Sequence, residues 1–252
     1  MIISIINHKG GVGKTMTAHN LGAALALMKK KVLLVDFDPQ CNLTSRCGII
    51  PADEHVTISS YLHDDEQEFL LKNLNKYLFL IPGDDALDAD SMEMAAMDDP
   101  KEAVNLLKNI LDRVGEGFDY ILVDGAPGSG MLMLNALYAA DEIIIPMSDK
   151  DAMMGVSKIG KLIKANNLRL KAHYLITRHD SRLSLCNELR DCLISECPEL
   201  TYHTIIRNTE ALRQSGCNGQ DIFQYAPKSN GAADYKSLAK EIAGRRSKEM
   251  NI

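Results

Sequence analysis

Lys9, Lys14 and Thr15 surround a run of glycines, a grouping suited to holding a polyphosphate. Asn7–Thr17 reads N-H-K-G-G-V-G-K-T-M-T. Gly10, Gly11 and Gly13 permit a tight turn in which successive backbone N–H groups, from Lys9 through Val12 to Met16, can face phosphate oxygens. Lys14 brings a formal charge to the β- and γ-phosphates, and the Thr15 hydroxyl is placed to hold Mg²⁺. Such a loop needs a strand before it and a helix after it. The apolar run Ile2–Ile6 and the helical pattern through Asn20–Lys30 supply both. The N-terminus of that helix adds its own partial positive charge. ATP with Mg²⁺ is the ligand this stretch predicts.

Carboxylates recur where later strands end. Lys31–Phe37 is almost wholly apolar and runs into D-F-D-P-Q-C-N, Asp36–Asn42. Carboxylates at i and i+2 of a strand point the same way, here towards the carboxyl edge where ligands bind in parallel sheets. Phe118–Asp124, F-D-Y-I-L-V-D, places Asp124 at a second such edge, where it would hold a magnesium-bound water and the Thr15 hydroxyl. Further strands are expected at Tyr77–Pro82, Asp141–Pro146 and Ala172–Thr177. Alternation of strand, helix and turn predicts an α/β fold, a mostly parallel twisted sheet with helices on both faces, of P-loop NTPase type. At 252 residues the chain, 1–252, is expected to be a single domain.

Several function classes drop out. No apolar run approaches the ~20 residues that span a bilayer, and Met1 leads straight into the first strand with no signal-peptide pattern. The six cysteines form no C-x-x-C pair, which argues against zinc or redox motifs and for reduced thiols in the cytoplasm. A net charge of −6 argues against a generally basic surface while leaving room for a local patch.

The lysine ahead of the glycines is the most telling feature. K-G-G-V-G-K-T, Lys9–Thr15, resembles the deviant Walker A loop of the ParA/MinD family of ATPases, closest to the compact ParA-type partition ATPases. The resemblance runs from Met1 to about Ala243. It implies that Lys9 reaches the partner's nucleotide across an ATP sandwich dimer, that Asp38 orients the attacking water, and that Asp36 supports the magnesium shell. It also implies slow hydrolysis, stimulated by a ParB-type activator or cargo adaptor with a basic N-terminus. Met16 departs from the family's Thr or Ser and removes a hydroxyl from the α-phosphate side. Ile205–Arg213, I-I-R-N-T-E-A-L-R, resembles the adenine-side loop, with Arg207 and Asn208 matching and Ile206 in place of proline. Gly125–Gly128, G-A-P-G, lacks the cysteine of the iron–sulfur branch, and no cysteine follows before Cys186.

The same resemblance makes nonspecific DNA the expected surface, and cargo partition on the nucleoid the expected task. Arg182 in Thr177–Leu183, Arg213, and the row Lys158, Lys161 and Lys164 are the candidate phosphate contacts, with Arg245, Arg246 and Lys248 as a basic end. Glu210 stands where DNA-binding relatives carry Arg. The tail after Ala243 has no apolar stripe, which argues against MinD-like membrane recruitment. The alternatives are a nucleotide-switched regulatory or scaffold ATPase acting without DNA, and a MinD-like positioning ATPase. Asp84–Glu102 is acidic with Met92, Met94 and Met97 interleaved. It reads as a solvated helix with Met facing the core, or as a docking surface for a basic peptide.

Overall fold

The computed structural model describes residues 1–64 and 66–249, apart from the side chains of Met154 and residues 247–249. The side chain of Lys248, part of the expected basic end, thus lies outside what is described. Along the chain run β1 (Ile2–Ile5), α1 (Lys14–Leu27), β2 (Val32–Phe37), α2 (Asn42–Arg46), α3 (Ile58–His63), β3 (Lys72–Asn75) and β4 (Leu78–Ile81). Next come α4 (Leu87–Ala96), α5 (Pro100–Ala103), α6 (Leu106–Val114), β5 (Tyr120–Gly125), α7 (Met131–Ala139), β6 (Glu142–Met147) and α8 (Lys150–Ala165). The chain closes with β7 (Lys171–Ile176), α9 (Ser184–Glu196), α10 (Glu210–Cys217), α11 (Ile222–Tyr225) and α12 (Asn230–Glu249).

The strands form one sheet in the order β3-β4-β2-β5-β1-β6-β7, parallel except for β3. Six strands are where the sequence predicts them, within a residue or two. β3 is the addition, an antiparallel edge strand reading K-N-L-N with alternating half-burial. Its single apolar residue gives almost no periodic signal, and a polar edge strand resists pairing with other chains. Pro146 is tolerated inside β6 because the β1 ladder ends at Ile144, before its missing N–H would be needed.

Strand alternation feeds two cores. Ile3 and Ile5 of β1, with Val32 and Leu34 of β2, pack under α1 and α12. Leu33, Val35 and Phe37 face the opposite layer with α3, α4, α6 and α7. Helix α1 is buried nearly all round, so it reads as apolar rather than amphipathic. Of the acidic stretch, Met94 packs into the core whereas Met92 is exposed. β1 lies beside the middle strand β5: the chain steps first to β2 and β4, then returns through β5 and builds β6 and β7 on the far side of β1. Such a reversal opens a crevice beyond the carboxyl ends of the central strands. No described helix is long and apolar enough to cross a membrane.

Candidate nucleotide site

The crevice above β1 is formed by the loop between β1 and α1. Gly11 and Gly13 take φ of 74° and 96°, values an L side chain rarely adopts, which lets the loop curl back on itself. Asn7 braces its base: Nδ2 donates to the Pro146 carbonyl at 2.8 Å, and Oδ1 accepts from the Lys9 N–H at 3.0 Å. Thr177, just past β7, donates to the Val12 carbonyl at 2.7 Å, and Arg178 Nη1 donates to the Gly11 carbonyl at 2.6 Å. These bonds turn carbonyls away from the cradle; the Lys9 N–H is already given to Asn7, so the N–H groups from Gly10 onward are the ones left to face an anion.

Lys14 is almost fully buried at the floor, and its Nζ lies 3.4 Å from the Lys9 carbonyl. Burial pulls its pKa down, opposed by the charges of Asp124 and Asp38. β5 lies between β1 and β2, in register Ile5–Asp124 and Asp36–Asp124, so two carboxylates stand side by side beneath the loop. Asp36 is completely buried, and its Oδ2 accepts from the Thr44 N–H and hydroxyl at 2.8 and 2.7 Å. Its Oδ1 has no partner. Burial first, with help from Asp38, pushes its pKa up to about 7 against the pull of Thr44. Asp124 is also completely buried, with neither oxygen in a hydrogen bond of normal geometry. Its pKa is raised by burial and by Asp36, although Thr15 and Lys14 pull it down.

Buried carboxylate oxygens left bare beside a hydroxyl are the oxygen donors a hard divalent cation takes, so Thr15, Asp124 and Asp36 fit Mg²⁺. The expectation that Asp36 and Asp38 share one outlook holds only in part. Asp38 lines the open crevice and turns Oδ1 to the Gln40 N–H at 3.0 Å, whereas Asp36 is bound to Thr44 a layer below.

The crevice encloses about 610 Å³, room for a nucleotide, and is lined by Gly10, Lys14, Thr15, Met16, Asp38 and Asn208. Arg207 also borders it, yet its guanidinium is clamped on Asp234 of α12, with Nη2 2.5 Å from Oδ1. Ile206 uses the N–H that proline lacks, donating to the Ile176 carbonyl at 2.9 Å. Two wall residues had no sequence signal. Arg178 hides in the stretch containing Arg182, and its φ of 52° marks it only in three dimensions. Arg46 is largely buried, donating to the Leu212 carbonyl at 3.1 Å. Its guanidinium occupies the space where a Cβ on Gly216 would stand.

Lys9 does not enter its own cradle. Its Nζ is 2.8 Å from Asp149 Oδ1 and 3.4 Å from Asp151 Oδ2, at the start of α8. The hydrogen bond to Asp149 raises the Lys9 pKa and holds that of Asp149 down against burial. Both partners are over a third exposed, so this latch is worth only about 0–1 kcal/mol.

Of the expected DNA contacts, Arg182 and Arg213 are each paired with a carboxylate of this chain. Arg182 is exposed but forked onto Asp180, with Nε at 2.9 Å from Oδ1 and Nη2 at 2.6 Å from Oδ2. Arg213 is paired with Glu210. Lys158 lies 2.8 Å from His8 Nε2, and Lys161 is exposed on the same helix. Arg245 and Arg246 sit at the amino edge of the sheet. Arg245 stacks on Tyr202 and pairs with Glu241; Arg246 lies over Tyr120 and donates to the Asp119 carbonyl. The C-terminal helix crosses the sheet from carboxyl to amino edge, which sequence spacing alone does not reveal.

A glycine-rich loop between a central strand and a helix, backed by carboxylates on two neighbouring strands, defines a P-loop nucleotide-hydrolysing protein. A family model described as an AAA domain matches residues 1–176. The chain is similar to the sporulation initiation inhibitor protein Soj of Bacillus subtilis (strain 168), 34% identical over 250 residues, covering 96% of this chain and 98% of that protein. It is 33% identical to the chromosome-partitioning ATPase Soj of Treponema pallidum (strain Nichols), covering 95% and 96% of the two chains. A solved putative plasmid partition protein from Borrelia burgdorferi B31, bound to AMPPNP, superposes with a TM-score of 0.80 at 26% identity, covering 97% of this chain and 98% of that one. The chain therefore belongs to the ParA/MinD family, on its ParA/Soj partition side, and is an ATPase.

Proposed function

We propose that this ATPase works as a single domain, residues 1–252, which ATP and Mg²⁺ convert into a sandwich dimer. The dimer binds DNA without sequence preference and partitions a plasmid, chromosome or other cargo in the cytoplasm, on the nucleoid. The observation that carries this reading is Lys9: it stands outside its own cradle, on a weak exposed latch, free to turn to a second subunit. Lys14 and the N–H groups from Gly10 to Met16 bind the phosphates, and Asn208, with Arg207 behind it, borders the base end. Thr15, Asp124 and Asp36 would hold Mg²⁺, which supplies charge neutralisation at the β- and γ-phosphates. Asp38, in the open crevice, positions the attacking water but is no strong base, which suits slow turnover awaiting an activator. A ParB-type activator or cargo adaptor with a basic N-terminus stimulates turnover; the likeness to chromosome-partitioning proteins supports a ParB-type partner in general.

A second reading, a nucleotide-switched scaffold without DNA, is favoured by the charge pairing of Arg182 and Arg213 and by the net charge of −6. DNA binding measured with ATP, with ADP and without nucleotide, alongside light scattering, separates the two. The partition reading expects dimers and DNA binding with ATP alone; dimers without DNA affinity at low salt would establish the scaffold instead.

A further inference from the structure

Away from the nucleotide crevice, α3, α4 and α6 enclose a second cavity of about 270 Å³. His63 closes α3, and its Nε2 lies 2.8 Å from Oδ1 of Asp90 on α4. Asp90 is only 4% exposed, yet its Oδ2 has no hydrogen-bond partner. A buried bare carboxylate oxygen costs stability unless something binds it. Glu93, one turn along α4, presents its carboxylate on the same side, and one donor atom from each of the three residues falls within 4.8 Å of the others. Glu102 of α5 lines the same cavity.

We propose that His63, Asp90 and Glu93 bind a divalent transition-metal cation of the zinc class, tying α3 to α4. One imidazole and two carboxylates suit Zn²⁺ with an open position, whereas Mg²⁺ and Ca²⁺ prefer oxygen ligands alone. The ion takes the place of the proton shared between His63 Nε2 and Asp90, and it gives the bare Oδ2 its partner. Tightening of donors to metal-bond distance needs only side-chain rotation of His63 and Glu93, both of which are exposed. The far side of α4, through Asp88 and Ser91, lines a groove with Asp38 and Pro127. A bound ion would therefore stiffen the wall beside the Asp38 loop without touching the nucleotide.

The test uses the full chain, stripped with a chelator and kept in excess Mg²⁺ so that the nucleotide-site carboxylates are not counted. Zn²⁺ is titrated by calorimetry, and Co²⁺ by visible absorption, which tells nitrogen and oxygen ligands from thiolates. One ion per chain with a nitrogen–oxygen spectrum is expected, with affinity falling about 10-fold or more in Glu93→Gln and His63→Gln. Glu93 is exposed, so its variant leaves folding intact. Zn²⁺ should also raise the Tm of the wild-type chain more than that of Glu93→Gln at the same concentration. No uptake, a thiolate spectrum alone, or unchanged affinity in both variants overturns the site.

Discussion

Asp36 offers the sharpest quantitative test of how the nucleotide site is built. The perturbation is Asp36→Asn, measured without nucleotide or divalent cation. An acid whose pKa rises on folding binds more protons folded than unfolded, so stability falls as pH rises through the interval between the two values. For Asp36 that interval runs from 3.8 to about 7. A gap of about 3 units corresponds to about 4 kcal/mol at its upper end, an upper bound because Asp124 shares the same buried space. Asparagine removes the charge while keeping an oxygen for the Thr44 N–H and hydroxyl. The variant should match wild type near about pH 4 and exceed it increasingly up to about pH 7, with a Tm gain of about 10 °C at the top. Thermal melts across that range read the effect. Mg²⁺ with ATP should then narrow the gap, because a cation offsets the wild-type charge. A Tm difference that does not widen as pH rises, or a variant no more stable at the upper end, refutes the reasoning; the wild-type curve alone does not, because buried His19, its pKa pushed down to about 3, gains stability over the same range.

Other outcomes follow from the placement of individual side chains. Lys9→Ala should abolish the ATP-dependent dimer by light scattering while leaving Tm nearly unchanged, since its latch on Asp149 is weak. Asp38→Ala should keep ATP binding but slow hydrolysis about 10²-fold or more in a phosphate-release assay, as removal of a water-positioning group requires. Met16→Thr should tighten nucleotide binding by calorimetry; unchanged affinity would show that backbone N–H groups already suffice. Arg182→Ala should weaken DNA binding on every sequence and flatten the salt dependence by about one unit, whereas Asp180→Ala and Glu210→Arg should strengthen it by removing opposing charge.

Elements whose chemistry is local in sequence were legible before any coordinates. The loop from Lys9 to Met16, the carboxylates Asp36, Asp38 and Asp124, and the central strands each announce themselves by a short run of residues with one physical reading. What escaped depends on contacts across the chain. Arg178 acts through a carbonyl 167 positions away, at Gly11, and Arg46 through Leu212. β3 escaped because an edge strand needs no apolar alternation. The separation of Arg245 and Arg246 from Arg182 follows from the course of α12, and the neutralising roles of Asp180 and Glu210 follow from side-chain geometry. The pairing of His63 with Asp90 joins two helices that no motif links.

The course of α12 also settles how the molecule can be handled. Arg246 lies over Tyr120 at the start of β5, and the Met1 amine is close enough for Arg246 to lower its pKa, after burial. Both ends of the described chain thus share one pole of the sheet, and the glycine loop, Asp38 and the Lys9 latch occupy the other. A fluorophore, affinity handle or surface tether attached beside Met1 or Arg246 stands away from the nucleotide pole. Two tethered copies keep their nucleotide faces pointing outward from the support, so immobilised chains remain able to meet partners delivered in solution.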